Sequence, residues 1–411
     1  MIQYFVTQSF LFLLIVGLIL PSDGNHGVFA PKSLAFLNAA FFFSFYFTIR
    51  HQMRASSTWA MLLIWCSVCF FCLWYVVGID QNPQIKSGQF DQFKIFMTTL
   101  FTPFAAWYLI KEKLLSFEKI FRTVIYTNCI YNLLKTSLMV LHVAGVINVW
   151  TVMHKTGFRF MSMHIIGDIG RIQTSVDIVT PFLMYFVLQS ENLGLKISNR
   201  FKWVYGITAT LSVFLSFSRF LIFAFFISVF FHCCTLNFFR QIKLWIAALF
   251  LCFAGVGVIG PEKVFQVIEK RFFSADNAAS DDTRGEQINA MMRACDESPF
   301  FGKGLGGYTL ECIRDFELPH AYEVQWVAFL MQFGLIGIPF LFIPLSLIAS
   351  NFMTFPWTRA KLGYFLLFGL WLFSGFTNPF MISLTSGIIY MIFLLAGDRI
   401  KNVPNISTNH S

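Results

Sequence analysis

The chain has 411 residues, of which 56% are hydrophobic, 12% are charged and 54 are phenylalanine. A soluble globule of this size needs more polar surface than this composition supplies, so a soluble protein is excluded and a membrane protein is indicated. The formal net charge of +9 does not indicate nucleic-acid binding. Residues 261–320 hold seven basic and eleven acidic residues, a net charge of −4. Much of the excess of Lys and Arg therefore lies in short loops elsewhere in the chain.

Apolar segments recur along the whole chain. A helix of about 20 mostly apolar residues crosses a hydrocarbon core of about 30 Å. We therefore predict an all-α, polytopic integral membrane protein with about twelve transmembrane helices. The predicted spans are residues 5–20, 34–49, 59–79, 93–110, 120–147, 173–189, 203–217, 219–235, 243–260, 336–350, 362–377 and 379–396.

The Lys and Arg of alternate loops set the predicted orientation, because short cytoplasmic loops carry them in excess. Fifteen lie in one set of loops, against six in the short loops of the other set. Both termini are therefore predicted to be cytoplasmic and residues 261–320 to lie outside. The count holds only if residues 321–333 form a half-buried helix rather than a separate span, with a break at Gly334 and the next span from Ile336.

This orientation divides the chain into three predicted regions. Residues 1–260 hold transmembrane helices 1–9, and residues 336–411 hold helices 10–12 with a cytoplasmic tail. Residues 261–335 between them form one long extracytoplasmic loop with short surface helices. We expect the chemistry of the protein in this loop, because the rest of the chain is almost entirely apolar.

Charged residues in or near the spans are the next candidates, since each costs several kcal/mol at membrane depth unless it is solvated or paired. Arg219, between two apolar segments, and Arg171, at the outer end of the sixth span, are candidates for binding an anion. The alternative for both is a side chain that reaches external lipid headgroups. Lys135, within the fifth span, is expected to pair with a carboxylate or to mark a helix break, and no functional role is given to it.

The loop contains Asp281-Asp282-Thr283-Arg284, which resembles the start of a helix capped by acidic residues. Asp281 and Asp282 are expected to be caps rather than metal ligands, because no second ligand group converges on them. A cation near a helix N-terminus is disfavoured unless an anion lies nearby, so Arg284 is a candidate for anion binding.

The stretch Ser298–Tyr308 contains Gly302, Gly304, Gly306 and Gly307 but lacks the Gly-Lys-Ser/Thr order of a P-loop. Turns supported by glycine are the better interpretation. His320 follows Pro319, and we expect it to open a helix at the membrane surface, with Glu323 one turn later on the same face. That carboxylate would raise the basicity of the imidazole, as a general base requires. The alternative is a surface histidine that caps a helix.

The cysteines do not form a plausible metal site. Cys66, Cys69 and Cys72 lie among apolar residues of one span without a fourth ligand, so we expect them to serve as small packing residues. Cys295 and Cys312 both lie in the external loop, where a disulfide is chemically permitted. A disulfide between them and two free thiols are the two alternatives.

Together, Ser218-Arg219, Thr283-Arg284-Gly285, the glycine stretch and the segment from His320 to Gly337 resemble the O-antigen ligase and polymerase superfamily. Its members are integral GT-C type glycosyltransferases with about twelve spans in the bacterial inner membrane. The resemblance covers roughly residues 160–340. One departure is Ala321, where many members carry Asn.

The resemblance implies that Arg219 and Arg284, with Arg171 as a further candidate, bind the diphosphate of an undecaprenyl-diphosphate-linked glycan. It implies that His320, supported by Glu323, deprotonates the attacking hydroxyl on the periplasmic side. No metal or other cofactor is expected, because the lipid-diphosphate bond supplies the driving energy. The expected partners are the lipid-linked glycan, membrane lipid and a chain-length regulator protein, with no nucleic acid.

Three functions remain open. Polymerisation of lipid-linked repeat units into O-antigen or a related surface polysaccharide is favoured. The polymerases are the more divergent members of the superfamily, and His320-Ala321 departs from the commoner His-Asn. Ligation of a finished glycan to the lipid A core is the first alternative. Transport of a polysaccharide or lipid-linked glycan without covalent chemistry is the second, although twelve-span transporters usually show repeated halves and polar residues at the midplane.

Overall fold

The computed structural model describes residues 1–21, 31–49, 54–81, 86–155, 161–166, 169–237, 275–313 and 319–402, together with 239, 241, 242, 262, 265 and 269. Within these residues the fold is all-α apart from one β-hairpin. The helices are α1 (Ile2–Ile19), α2 (Pro31–Ile49), α3 (Ala55–Gln81), α4 (Lys86–Lys111), α5 (Phe117–Val143), α6 (Val149–Lys155), α7 (Val179–Leu188), α8 (Asn199–Leu215), α9 (Arg219–Thr235), α10 (Ala275–Glu297), α11 (Gln325–Phe352), α12 (Arg359–Phe373) and α13 (Leu384–Asn402).

Five helices in the described part of the chain are long and apolar enough to cross a membrane, namely Ile2–Ile19, Pro31–Ile49, Ser57–Gln81, Gly88–Lys111 and Gln325–Phe352. They indicate a multi-pass membrane protein. Helices α7, α8, α9 and α12 have only 10 to 17 residues, which at about 1.5 Å per residue is short of a full hydrocarbon core. The predicted span 243–260 lies outside the described residues. The count of twelve spans therefore stays a prediction.

Helix α11 is broken at Gly334, where the backbone takes φ 61° and ψ −175°. This confirms the predicted break at Gly334, while the whole of Gln325–Phe352 is long and apolar enough to cross a membrane. Only glycine adopts this positive φ without strain. A Cβ at this position would in addition overlap the carbonyl oxygen of Phe300.

The glycine stretch fills this break. Membrane proteins satisfy the backbone groups freed at a helix break with protein partners, since lipid offers none. Here the amides of Leu335 and Ile336 donate to the carbonyls of Pro299 (2.9 Å) and Phe300 (3.0 Å). The indole of Trp74 on α3 donates to the carbonyl of Phe333 (3.2 Å). The break is therefore a built feature of the fold, held by α3 and by residues 299–304.

The predicted cytoplasmic loops meet at one end of the helix bundle. Four contacts join them, namely Arg54–Glu112, Lys111–Asp398, Arg122–Lys196 and Arg359–Cys234. We call this the basic end. The opposite end, where α9 begins at Arg219, α11 at Gln325 and α13 at Leu384, we call the site end. The basic loops that alternate along the sequence are thus joined at one end, and their orientation towards the cytoplasm stays a prediction.

A large apolar core holds the bundle together, with α1 packed on α2 and α5, α4 on α3 and α13, and α9 on α7 and α12. Helix α10 packs separately on the start of α11 through a smaller cluster that includes Met291, Tyr322 and Met331. This second contact fixes the loop helix α10 to the segment that carries His320.

Candidate functional site

The segment that precedes α13 brings the starts of α9 and α11 together at the site end. The ring of Phe380 lies 6.2 Å from that of Phe220, the residue after Arg219. The amide of Met381 donates to the side-chain oxygen of Gln325, at 2.6 Å. Because adjacent residues make these two contacts, Arg219 and the stretch that follows His320 lie at the same end of the bundle.

His320 lies in a turn and is buried, with 7% of its surface exposed. Its carbonyl accepts a hydrogen bond from the amide of Tyr322 (3.2 Å), and the Tyr322 hydroxyl accepts one from the amide of Thr309 (2.9 Å). Burial raises the pKa of Tyr322 to about 12, so its phenol stays protonated at neutral pH. The imidazole therefore belongs to a backbone turn that is held by the hydrogen bonds of the Tyr322 amide and the Tyr322 hydroxyl.

The expectation that His320 opens a helix is wrong. Residues 320–324 are not helical, and α11 begins at Gln325. The i, i+3 geometry on which the pairing of His320 with Glu323 depended is therefore absent. Instead the amide of Glu323 donates to the side-chain oxygen of Gln287 on α10, at 3.1 Å.

Arg284 binds the carboxylate of Glu323, with 2.8 Å between Nε and Oε2, and both side chains are only partly exposed. The expected capping by Asp281 and Asp282 is wrong, because α10 begins at Ala275 and Arg284 lies well inside the helix. The argument from a helix N-terminus therefore fails. What places Arg284 in the site is the charge-assisted hydrogen bond to the residue three positions after His320.

Arg171 lies on the second strand of the hairpin formed by Met161–Ile166 and Ile169–Gln173, opposite Met163. The sequence did not predict this hairpin. The Arg171 Nε donates to the carbonyl of Ser216, at 3.2 Å, three residues before Arg219. Two of the predicted diphosphate ligands are thus connected through one turn.

That turn is strained. Phe217 takes φ 44°, a conformation that costs non-glycine residues of order 1–3 kcal/mol and that is found most often at functional sites. Arg219 follows two residues later with an exposed side chain. Phe217 could not be predicted from the sequence, because no residue pattern distinguishes it from its apolar neighbours.

A buried ion pair lies beneath this turn. The Lys135 ammonium contacts the Asp177 carboxylate at 2.7 Å, and 3% and 1% of the two side chains are exposed. Lys135 also donates to the carbonyl of Ser212 near the end of α8, at 2.9 Å. Asp177 accepts hydrogen bonds from the hydroxyl of Tyr131 (3.0 Å) and the amide of Thr174 (2.8 Å). The predicted pairing of Lys135 with a carboxylate is confirmed.

Both cations support the end of α8. Lys135 donates to the Ser212 carbonyl, which also accepts from the amide of Ser216 (3.2 Å), and Arg171 donates to the Ser216 carbonyl. Cations are favourable at a helix C-terminus, so the Lys135–Asp177 pair and Arg171 stabilise the end of α8, which leads into the turn before Arg219. The only sequence signal for the pair was a lone lysine in an apolar span.

The backbone of the glycine stretch is not arranged as a phosphate cradle. Its five consecutive amides from Lys303 to Gly307 all donate to protein oxygens, in order those of Met331, Gln332, Trp74, Gln92 and Gly304. Gly302, Gly304 and Gly306 have positive φ, as turns supported by glycine require. The predicted interpretation is confirmed, and a phosphate cradle is excluded because no amide of this run is left to donate to one.

Cys295 and Cys312 are free thiols in the structure. Burial raises the pKa of Cys295 to about 11 and also raises that of Cys312. Cys66, Cys69 and Cys72 are exposed on α3, so they face outward from the bundle rather than packing within it as expected. Across the described residues, no group of three His, Cys, Asp or Glu side chains is arranged to hold a metal ion.

No protein-family model matches this chain, and no curated protein matches its sequence. The superfamily resemblance therefore depends on the motifs themselves and on where the fold places their residues.

Proposed function

We propose that this chain is an integral membrane glycosyltransferase that polymerises undecaprenyl-diphosphate-linked repeat units into O-antigen or a related surface polysaccharide. The reaction takes place on the outer face of the bacterial inner membrane. The observation that carries the proposal is the ion pair between Arg284 and Glu323, which joins a proposed diphosphate ligand to the segment of the proposed base, His320.

The proposed reaction is an inverting displacement that needs no metal. The His320 imidazole accepts the proton of the acceptor hydroxyl, whose oxygen attacks the anomeric carbon of the donor glycan. A new glycosidic C–O bond forms as the bond between that carbon and the diphosphate oxygen breaks. The lipid diphosphate leaves with an additional negative charge, which Arg219, Arg284 and Arg171 stabilise.

Arginine suits this role because its guanidinium is permanently charged and forms bidentate hydrogen bonds with two phosphate oxygens. Groups that stabilise charge developing in the transition state commonly supply the largest part of catalysis. Glu323 takes a revised role in this proposal: it orients the guanidinium of Arg284 through their 2.8 Å hydrogen bond rather than the ring of His320.

Transport without covalent chemistry is the second candidate, and two observations favour it. The buried pair of Lys135 and Asp177 is a charged group of the kind found in ion-coupled carriers, and α11 is a discontinuous helix. Both features also have the structural roles described above. A transporter would form no new glycosidic bond.

Turnover by the purified protein with a lipid-linked glycan tests the proposal. Arg219→Ala, Arg284→Ala and His320→Ala should each abolish the polymeric product while the proteins remain folded in detergent. Arg293→Ala is the matched control, because this arginine lies on the same helix as Arg284 but pairs with Glu311 on the exposed surface. Normal product from any two of the three site variants would contradict the mechanism.

Deletion of the gene, followed by gel analysis of the lipopolysaccharide, distinguishes the polymerase function from the ligase function. Core carrying a single repeat unit indicates a lost polymerase. Bare core, with polymer left on the lipid carrier, indicates a lost ligase and would move the proposal to the transfer of finished glycan to the lipid A core.

A further inference from the structure

The loop between α10 and α11 begins with a segment that presents aromatic side chains outward. Residues 298–302 are Ser-Pro-Phe-Phe-Gly and include no charged residue. The side chains of Phe300 and Phe301 are prominent on its surface, since the two residues are 62% and 52% exposed. We call residues 298–302 the phenylalanine loop. The sequence predicted that it lies outside the membrane, and the proposed glycosyl transfer does not use it.

The backbone of the phenylalanine loop is bonded to protein although its side chains are exposed. The four consecutive carbonyls from Ser298 to Phe301 accept hydrogen bonds, in order, from the amides of Gly302 (2.9 Å), Leu335 (2.9 Å) and Ile336 (3.0 Å) and from the indole of Trp74 (3.0 Å). A loop in water does not need such partners, because water supplies donors. Backbone in the apolar part of a bilayer does need them. Bonded carbonyls beneath exposed phenylalanines are therefore the arrangement expected of a loop in lipid.

The contact with α3 places the loop at membrane depth. Helix α3 is one of those long and apolar enough to cross a membrane, and Trp74 lies seven residues before its end at Gln81. At about 1.5 Å per residue, Trp74 and the Phe301 carbonyl bonded to it lie about 10 Å along the helix from that end. On either side of Trp74, α3 presents Leu73 and Val76 outward, 54% and 61% exposed. The loop therefore lies beside a part of α3 whose own surface suits hydrocarbon.

The loop also continues the exposed apolar surface of α11. Leu335 and Ile336 follow the break at Gly334 and are 60% and 41% exposed. Their amides are the ones that bond to the loop, so their backbone adjoins that of Phe300. Exposed apolar side chains on neighbouring segments of one surface mark a site of contact with lipid or another apolar partner. Because this surface belongs to a helix that can span a membrane, lipid is the partner that it indicates.

Charged residues flank the loop rather than lie within it. Glu297 precedes it and Lys303 follows it, and their side chains form an ion pair. The Glu297 side chain is 65% exposed and that of Lys303 is 18% exposed. Long charged side chains reach towards water while their stems cover apolar surface. The pair therefore suits the boundary between water and lipid, with the phenylalanines on the lipid side.

We infer that the phenylalanine loop enters the membrane leaflet at the site end and that Phe300 and Phe301 contact the acyl chains of lipids. Helix α10 ends at Glu297, directly before the loop. The helix that carries Arg284 is thus attached to the bilayer through this loop as well as to α11 through its apolar cluster. The inference concerns lipid contact alone and does not depend on the proposed reaction.

Photo-crosslinking tests the inference in the full-length protein, reconstituted in liposomes of phosphatidylethanolamine and phosphatidylglycerol. The photoreactive amino acid p-benzoyl-phenylalanine replaces Phe300 or Phe301, one at a time, so that an aromatic ring is kept. After irradiation we expect mass spectrometry to find protein that carries the added mass of one phospholipid. Fragmentation of the adduct should place the new bond on an acyl chain rather than on the headgroup.

Two other positions are matched controls. Leu310 is 80% exposed in the same connection between α10 and α11, next to Glu311, whose ion pair with Arg293 is on the exposed surface. The photoreactive residue should give no lipid adduct there. Phe340, 50% exposed on α11 beyond the break, should give one. Leu335 offers a further test position, so the result does not depend on one variant that folds poorly.

Three results would overturn the inference. One is the absence of lipid adducts at Phe300, Phe301 and Leu335 in folded proteins when Phe340 gives them. Another is a yield at Leu310 equal to that at Phe300 and Phe301, or attachment to headgroups alone. The third is crosslinking between two copies of the chain in place of lipid adducts, which would assign the loop to a protein interface. None of these outcomes bears on turnover, so failure here is distinguishable from failure of the proposed glycosyl transfer.

Discussion

Replacement of Lys135 by methionine tests how the turn before Arg219 is held. The change keeps the length of the side chain but leaves the Asp177 carboxylate buried, with the hydroxyl of Tyr131 and the amide of Thr174 as its hydrogen-bond donors among the described residues. It also removes the donor to the Ser212 carbonyl. Breaking a buried pair by removing one partner costs about 3–5 kcal/mol, because the other charge stays desolvated.

We therefore expect Lys135→Met to lower the free energy of unfolding by about 3–5 kcal/mol. The assay is reversible unfolding in mixed detergent micelles titrated with sodium dodecyl sulfate and followed by tryptophan fluorescence. Lys111→Met is the matched control, since its pair with Asp398 is 23% and 20% exposed and should therefore contribute less than the fully buried pair.

The double variant Lys135→Met/Asp177→Asn separates charge from packing. The asparagine keeps the size of the buried side chain and removes its charge, so the double variant should be more stable than Lys135→Met alone. The reasoning would be refuted if Lys135→Met cost no more than Lys111→Met, or if neutralising Asp177 made the protein still less stable.

Three further predictions use the same purified protein. Gly334→Ala should destabilise it by at least about 2 kcal/mol, because the residue needs positive φ and a Cβ would overlap a carbonyl oxygen, whereas Gly369→Ala, with open space around it, should change stability by less than about 1 kcal/mol; equal melting of the two would contradict this. Since burial raises the pKa of Cys295 to about 11, its thiolate is scarce at neutral pH, and alkylation measured by mass spectrometry should stay slow at pH 7 and rise about tenfold per pH unit towards pH 9; rapid labelling at pH 7 would show that the site is open. Glu323→Gln should raise the KM for the lipid-linked donor and leave measurable turnover while Arg284→Ala abolishes it, as expected if the carboxylate only orients the guanidinium; complete inactivity of a folded Glu323→Gln protein would instead assign the carboxylate to the chemistry.

The sequence was sufficient for features that depend on local chemistry and on the membrane. A helix in lipid satisfies its own backbone, so long apolar windows identify spanning helices without knowledge of their neighbours. A helix break can be predicted in the same way, because a glycine such as Gly334 within a long apolar window marks a position where the helix can be interrupted. The alternation of basic loops also follows from the membrane itself, and the contacts at the basic end agree with it.

The sequence was insufficient where the partner of a residue lies far along the chain. Helix α10 begins at Ala275, before the acidic residues that resemble a cap, and its later part packs on α11 through Met291 and Ala294, a contact that no local signal marks. The region from His320 to Val324 is non-helical and is held by tertiary hydrogen bonds: the amide of Glu323 donates to the side-chain oxygen of Gln287, and the hydroxyl of Tyr322 accepts from the amide of Thr309. Local propensity is a weak guide where such contacts exist.

The amino-acid sequence by itself determined that this is a multi-pass membrane protein, where its basic loops lie and where α11 breaks, because each of these follows from the interaction of a short segment with lipid or water. Only the tertiary structure decided that Asp177 pairs with Lys135 and that Glu323 binds Arg284, which lie 42 and 39 residues apart in the chain. A buried charge is stabilised by whichever opposite charge the packing of the helices brings within about 3 Å, and that packing depends on the whole bundle rather than on any one segment.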